Sequence, residues 1–157
     1  MITENAVYSD EVTIHAPVEL VWEILLDFES YSEWNTFCPQ AANDSLELGT
    51  PIEMMVNLGQ GLARQVEYIS CVKPLECIAW AMENKPGDPV HAERSQRLKR
   101  IDDESCSYIS LDEFSGPEAP AMMEHFAGIV EDGFNRCAQD LKKYAEERCR
   151  KRSAGTS

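Results

Sequence analysis

Apolar residues at regular spacing predict the first two elements of the chain. Val12 and Ile14 alternate with polar neighbours within residues 7–15 and stop at Ala16-Pro17, which predicts a first strand. Pro17 suits the first turn of a helix, where its missing N–H costs nothing. Apolar residues then recur at helical spacing, at Val18, Val21, Trp22, Leu25 and Leu26. We therefore predict a helix with one apolar face, followed by a short second helix or turn over residues 31–35.

The pattern in the middle of the chain predicts about five or six strands. Apolar side chains occupy every second position of the first, at Ile52, Met54, Val56 and Leu58. Residues 64–72 and 77–82 predict a hairpin whose inner face carries Ile78, Trp80 and Met82. Residues 84–89 are a loop by composition. Residues 90–101 and 105–114 predict a second hairpin around Asp102-Asp103-Glu104.

One long amphipathic helix is predicted over residues 119–149. A period of 100° per residue places one stripe at Ala119, Met122, Phe126, Ile129, Val130, Cys137, Leu141 and Tyr144. Gly133 lies in this stripe and leaves a space beside the helix backbone, which close contact with the sheet or a ligand would fill. Strands grouped between helices predict an α+β fold with an antiparallel sheet. We expect one domain over residues 1–157, with residues 152–157 frayed.

The second hairpin carries polar residues that we predict to face inward. A turn centred on Asp103 pairs positions across the strands, and one face then holds Leu98 with Tyr108, Gln96 with Ser110, Arg94 with Asp112, and Ala92 with Phe114. The other face includes the like-charge pair Glu93 and Glu113, which needs water. The interior polar groups have two interpretations. Arg94 and Asp112 close on each other as a satisfied pair, or they line a cavity and bind a ligand.

Charge and cysteine usage restrict the possible partners. The net charge of −14 disfavours nucleic acid and anionic membranes, which bind through Lys and Arg. The N-terminal MITENAVYSD lacks a basic leader and an apolar run, so we predict a cytoplasmic protein without a signal peptide or stable membrane association. The six cysteines are scattered without a Cys-x-x-Cys pair, and we predict neither a metal site, a disulfide framework nor a cofactor. The basic residues after Lys142 suit the negative end of the last helix.

Several segments resemble the polyketide cyclase/dehydrase and lipid-transport group of the START-like (SRPBCC) superfamily. The segment IHAPVELVWEILLDFESYSEWN is similar to that group's pattern of strand, Ala-Pro, Val-Trp helix, Asp-Phe, Tyr and Trp-Asn. Further similarity lies in Pro74 with Ile78 and Trp80, in Glu113-Phe114-Ser115-Gly116 and in the DLKKYAEE of the last helix. Many relatives have Pro directly after Trp-Asn, where this chain has Thr36. The resemblance implies a helix-grip fold, in which about seven antiparallel strands curve around the C-terminal helix and enclose a cavity.

Three functions are compatible with these residues. The first is a binding protein, monomeric or dimeric, for a small hydrophobic or amphipathic molecule. Its predicted site residues are Trp34, Met54, Val56, Trp80, Arg94, Gln96, Tyr108, Ser110, Asp112, Phe114, Phe126, Val130 and Gly133. The second is a cyclase or dehydratase that uses Asp112, Tyr108 or His125 as acid or base. The third is a protein-interaction module whose acidic body attracts a basic partner.

Overall fold

A computed structural model describes residues 1–155, which form one antiparallel sheet and three helical segments. The strands are β1 (Ala6–Tyr8), β2 (Val12–Ile14), β3 (Gln40–Asn43), β4 (Pro51–Asn57), β5 (Leu62–Lys73), β6 (Cys77–Ala81), β7 (His91–Asp102) and β8 (Ser105–Ser115). The helices are α1 (Val18–Leu26), a short 3-10 helix (Phe28–Glu33) and α2 (Ala119–Gly155). The predicted α+β class and helix-grip architecture are confirmed.

The sheet has the order β1-β8-β7-β6-β5-β4-β3, and β2 also pairs with β8. Residues 7–15 are therefore two short strands rather than one. Ser9 lies in the gap and keeps contact with β8, because its backbone N–H donates to the Ser110 carbonyl and its Oγ accepts from the Ser110 N–H at 2.9 Å. With β1 and β2 counted as one interrupted strand, the sheet has the seven strands that the family resemblance implies.

The predicted register of the β7–β8 hairpin is confirmed. Arg94 faces Asp112, Gln96 faces Ser110 and Leu98 faces Tyr108 across the two strands. The predicted inner face is also confirmed, since Arg94 is only 6% exposed and Gln96, Tyr108 and Ser110 are fully buried. The register follows from the tight turn between Asp102 and Ser105 together with an irregularity in the pairing between Arg100 and Asp102. Ser105 Oγ donates a 2.8 Å hydrogen bond to Asp102 Oδ1 across this turn.

Three strand predictions need correction. Strand β3 was not predicted, because its sequence Gln-Ala-Ala-Asn carries no β-branched or aromatic residue. Leu58 follows the end of β4 and is only partly buried. Met82 follows the end of β6 and is 40% exposed, whereas Ile78 and Trp80 are buried as predicted.

Helix α1 packs its apolar face on the core and turns its carboxylates to solvent. Val18, Val21, Trp22 and Leu25 are buried, whereas Glu19 and Glu23 are exposed. Basic residues from other elements approach these carboxylates. Arg100 contacts Glu19, and Arg152 lies 3.1 Å from Glu23. Part of the basic C-terminal segment thus neutralises the acidic face of α1, and exposed pairs of this kind contribute little stability.

Helix α2 crosses the concave face of the sheet, and its two halves differ. Gly116 adopts a φ of 103° and lies where a Cβ would meet the Pro89 carbonyl oxygen at 2.6 Å, so the helix begins in close contact with the loop before β7. The C-terminal half buries Cys137, Ala138, Leu141 and Ala145. In the N-terminal half Met123 and Ala127 are buried, but Phe126 is 49% exposed.

The predicted helical stripe is therefore wrong at Phe126 and Ile129, which are both exposed. The helix also runs beyond residue 149 to Gly155, so residues 152–155, for which we expected fraying, are helical. Thr156 and Ser157, which fall under the same expectation, lie outside the described residues. No helix within residues 1–155 combines the length and the apolar character needed to cross a bilayer.

Candidate ligand-binding site

A cavity of about 440 Å³ lies between the concave face of β4–β8 and the N-terminal half of α2. Its walls are mainly apolar, and four of the side chains are methionines or phenylalanines of α2: Met122, Met123, Phe126 and Phe134. The exposed side chains of Met82 and Phe126 mark where the cavity reaches the surface. The space exists because this half of α2 stands off the sheet, whereas the other half is packed against it.

Eight of the thirteen predicted site residues line this cavity. The sheet contributes six of them and α2 contributes two: Met54, Val56, Trp80, Arg94, Asp112, Phe114, Phe126 and Val130. The alternation of β4 and the register of the β7–β8 hairpin bring them together, because both place every second side chain on the concave face.

Three predicted polar residues lie beneath the cavity rather than on its surface. The Tyr108 hydroxyl donates a 2.7 Å hydrogen bond to Gln96 Oε1, which closes both polar groups on each other. Ser110 is fully buried, and its Oγ accepts a 3.1 Å hydrogen bond from Arg94 Nε. Gln96, Tyr108 and Ser110 therefore do not line the cavity. They could influence a ligand only indirectly, through Arg94 or other wall residues.

The space beside Gly133 is filled by the protein itself. A Cβ on Gly133 would meet Cδ2 and Cε2 of Phe37 at 2.5 and 2.6 Å. The space is therefore filled neither by the sheet nor by a ligand, as the sequence suggested, but by a ring from the loop before β3. The Phe37 ring, not Gly133, forms the wall of the cavity at this point.

Trp34 also lies outside the cavity. It follows the 3-10 helix and is oriented toward the packed half of α2, where its ring stacks on Tyr144 with a centroid distance of 6.2 Å. It lines a separate cleft of about 180 Å³ with Glu23, Asp27 and Arg148 among the other walls. The next residues are anchored to α2, because the backbone N–H and Oγ1 of Thr36 both donate to Asp140. This anchor, at the position where many relatives have Pro, brings Phe37 to the cavity in place of Trp34.

Arg94 is a buried cation enclosed by aromatic rings. Its guanidinium carbon lies 4.5 Å from the centroid of Phe134, 5.0 Å from that of Phe37 and 5.8 Å from that of Trp80. Its Nε bonds to Ser110 and its second terminal nitrogen lies 3.8 Å from Cys137 Sγ. Guanidinium stays protonated at all ordinary pH, so this site carries a fixed positive charge. The ring contacts and hydrogen bonds orient the charge toward α2.

Asp112 does not pair with Arg94, although the two residues face each other across the strands. Within residues 1–155 the Asp112 carboxyl makes no hydrogen bond or salt bridge, and its Oδ1 is buried without a partner. The interpretation of a closed Arg94–Asp112 pair is therefore wrong. Burial raises the pKa of Asp112 to about 7, an effect that Arg94 opposes and that Glu113 and Glu93 reinforce.

Glu67 is a second acid on the cavity wall, and it was not among the residues predicted from the sequence. Glu67 lies on β5 opposite Ile52 of β4. Its side chain therefore points to the concave face, where it lines the cavity. Among the described residues nothing donates a hydrogen bond to its carboxyl group. Burial raises the pKa of Glu67 to about 8, with a further increase from Asp112 and a decrease from Arg94. The cavity thus holds two carboxyl groups and one guanidinium within apolar walls.

The remaining candidate for acid–base chemistry lies elsewhere. His125 is exposed on α2, outside the cavity lining, with its ring beside Phe126. Eleven of the wall residues were not predicted as site residues, and Phe37, Gln65 and Glu67 are among them. The inward positions of β5 could have been inferred from its pairing with β4, whereas Phe37 lies in a loop without a periodic signal.

Comparisons with known proteins agree with this architecture. The family model described as polyketide cyclase / dehydrase and lipid transport matches residues 6–146. No curated protein matches the sequence.

Three solved structures illustrate the range of proteins that share the fold. The Zhui aromatase/cyclase from Streptomyces sp. R1128 is 22% identical, with a TM-score of 0.71 over 91% of this chain and 94% of that chain. A norcoclaurine synthase point mutant from Thalictrum flavum, in complex with a transition-state analogue, is 14% identical, with a TM-score of 0.66 over 91% and 94%. A START superfamily protein from Mycobacterium smegmatis is 14% identical, with a TM-score of 0.60 over 87% and 99%. Identities this low establish the fold alone.

Proposed function

We propose that the chain, which belongs to the polyketide cyclase/dehydrase and lipid-transport family of START-like proteins, binds a small hydrophobic or amphipathic molecule in the cavity under α2. The observation that carries this proposal is a space of about 440 Å³ with apolar walls inside an otherwise closely packed core. Native interiors seldom keep voids much larger than a water molecule, so a space of this size calls for an occupant. Its volume falls within the range of small-molecule pockets.

The walls supply both affinity and orientation. Transfer of apolar ligand surface onto Met54, Val56 and the α2 side chains would contribute about 25 cal/mol per Å² before the cost of immobilising the ligand. Arg94, Glu67 and Asp112 are the polar wall groups with charge, and they fix which end of an amphipathic molecule points inward. We further propose that the protein acts in the cytoplasm as a monomer or dimer.

A filled cavity tests the proposal. Ala127 is buried on α2 and lines the cavity, so Ala127→Trp would occupy the space that a ligand needs. Ala121 lies on the same helix but is exposed, and Ala121→Trp is the matched control. We expect a panel of hydrophobic compounds to raise the melting temperature of the wild type and of Ala121→Trp, since a ligand that binds the folded state stabilises it. Ala127→Trp should lose that response.

Native mass spectrometry of the purified protein provides an independent measurement. A co-purified small molecule on the wild type that is absent from Ala127→Trp would support the binding function. If no compound stabilises or adheres to the wild type, the cavity is a packing defect and the proposal fails. Capture of a basic protein with no small-molecule response would favour the interaction-module alternative.

Two acids with pKa values near neutrality favour a cyclase or dehydratase as the second candidate function. A general acid or base works best when its pKa is close to the operating pH, and Asp112 and Glu67 have pKa values of about 7 and 8. Assays with aromatic polyketide-like substrates should then show turnover that Asp112→Asn and Glu67→Gln remove. Tyr108→Phe should retain it, because the Tyr108 hydroxyl is bonded to Gln96 beneath the cavity. Turnover unchanged in both carboxyl variants would exclude this function for these residues.

A further inference from the structure

The polar groups of the cavity are unbalanced in a way that selects the chemistry of the ligand. Glu67 on β5 and Asp112 on β8 both line the space, and within residues 1–155 neither carboxyl group receives a hydrogen bond. Asp112 also raises the pKa of Glu67, so the two groups on the wall of this cavity interact electrostatically. Buried carboxyl oxygens in proteins almost always have a donor. Asp112 Oδ1 is buried without a donor, and both side chains line the cavity, so a ligand there can donate to the carboxyl oxygens that it reaches.

Arg94 does not supply these donors. Its Nε is bonded to Ser110, its second terminal nitrogen faces Cys137, and its plane is covered by Phe37 and Phe134. The guanidinium therefore balances one negative charge of the patch at a distance without occupying either carboxyl group. With both acids ionised the patch carries a net charge of −1, and an apolar surrounding penalises that charge strongly.

From this imbalance we propose that the cavity selects a hydrophobic primary amine, bound as its ammonium ion between Glu67 and Asp112 with its hydrocarbon body against the methionine and phenylalanine side chains of α2. The ammonium group has three N–H donors and one positive charge, which matches two carboxylates that lack donors and an excess of one negative charge. A carboxylic acid ligand would add a third acid to the same patch. This inference rests on the proposed binding function and specifies its ligand class.

Three probes with the same carbon skeleton test the selectivity: 1-naphthylmethylamine, 1-naphthylmethanol and 1-naphthoic acid. We expect calorimetric titration at pH 7 and physiological salt to give an amine affinity about tenfold above that of the alcohol, with the acid weakest. Equal or weaker binding of the amine than of the alcohol would overturn the amine selectivity and leave the binding function intact. If none of the three probes binds and the wider compound panel also fails, the binding function itself fails.

Variants separate the two carboxyl groups from the general acidity of the chain. Glu67→Gln and Asp112→Asn keep the shape of a protonated carboxyl group, so the fold should be retained, which circular dichroism can verify. Each should lower the amine affinity about tenfold and change the alcohol affinity less than about twofold. Glu124→Gln removes an exposed acid of α2 outside the cavity lining and controls for long-range attraction. Equal losses in all three variants would assign the selectivity to net charge and overturn the local site.

Proton release gives a further readout. An ammonium ion lowers the pKa of both carboxyl groups, so amine binding at pH 7 should release protons and should strengthen as the pH rises from 6 to 8. The other titratable groups that act on the pair are Arg94 and Glu93 of β7 and Glu113 of β8. Arg94 in turn interacts with Tyr108 of β8, Cys137 of α2 and Cys38 of the loop before β3. Burial raises the pKa of Cys38 to about 11 and that of Cys137 above its usual range. Titrations in two buffers of different ionisation enthalpy would measure the release, and its absence would contradict the inference.

Discussion

The two halves of α2 lie over the same sheet but make different structures with it. In the C-terminal half Cys137, Leu141 and Ala145 are completely buried. The polar groups beneath that half are bonded within the protein, as in the pair Tyr108–Gln96. In the N-terminal half the helix covers a cavity of about 440 Å³, and Glu67 and Asp112 have no protein donor. The candidate site therefore begins where both close packing and internal hydrogen bonding end.

Truncation of one side chain in each half should give the largest difference. Leu141→Ala creates a new void in the closed half, and we expect it to lower the free energy of unfolding by about 3 kcal/mol. Met123→Ala enlarges a cavity that already exists, so the remaining wall loses fewer contacts and we expect about 1 kcal/mol. Urea denaturation of both variants measures the difference. Equal losses would mean that α2 is packed uniformly along its length.

Stability as a function of pH should separate the two kinds of buried polar group. The pKa values of Asp112 and Glu67 are about 7 and 8 in the folded state, well above their values of 3.8 and 4.5 in an unfolded chain. Between these values the folded state holds more protons, so the free energy of unfolding falls as the pH rises from about 4 to 8. Asp112→Asn and Glu67→Gln should each be about 1 kcal/mol more stable than the wild type at pH 8, after allowance for partial exposure.

Tyr108→Phe serves as the comparison from the closed half. Burial raises the pKa of Tyr108 well above its usual range, so this hydroxyl does not titrate between pH 4 and 8. Its removal leaves Gln96 Oε1 without this donor and should cost about 1 kcal/mol at every pH in that interval. Denaturation curves recorded from pH 4 to 8 check both expectations. A slope that the two carboxyl variants leave unchanged would place the responsible groups elsewhere.

The sequence predicted the fold well because its local signals agree with its tertiary contacts. The β7–β8 hairpin has a short polar turn, and the predicted pairing around it agrees with the structure from Arg100 to His91, although the register shifts between Arg100 and Asp102 next to the turn. The helical period located α2, but it wrongly assigned Phe126 and Ile129 to the buried stripe. Periodicity describes a helix that packs along its whole length, and it does not indicate where a helix stands off the sheet.

The composition of the site was less predictable for the same reason. Arg94 and Asp112 were placed on the inner face by register, but the direction of the Arg94 side chain depends on Phe37, which a loop brings to the cavity. Glu67 lies on β5 opposite Ile52 of β4, so its inward position depends on the register between two strands whose connecting turn was not used to pair them.

Two glycines of α2 offer the smallest and most closely matched comparison. At Gly128 a Cβ would meet nothing within 4 Å, so Gly128→Ala should raise the free energy of unfolding by about 0.5 to 1 kcal/mol through helix propensity alone. At Gly133 the same Cβ would lie 2.5 Å from the Phe37 ring, which must move away. The Phe37 ring can move only into the cavity. It would then lose its edge-to-face contact with Phe134, whose ring centroid is 5.4 Å away, and its contact with the Arg94 guanidinium.

We therefore expect the lost contacts of Phe37 to outweigh the gain in helix propensity, so that Gly133→Ala lowers the free energy of unfolding by up to about 1 kcal/mol. Hydrophobic compounds should also stabilise this variant less, because Phe37 would then occupy part of their space. Melting curves of both variants with and without 1-naphthylmethanol measure the two effects together. If Gly133→Ala matched Gly128→Ala in stability and in its response to the compound, Phe37 would be mobile at no cost and would not be part of a defined cavity wall. If Gly133→Ala were as stable as Gly128→Ala but were not stabilised by the compound, the Phe37 ring would move into the cavity at little energetic cost and would block the ligand.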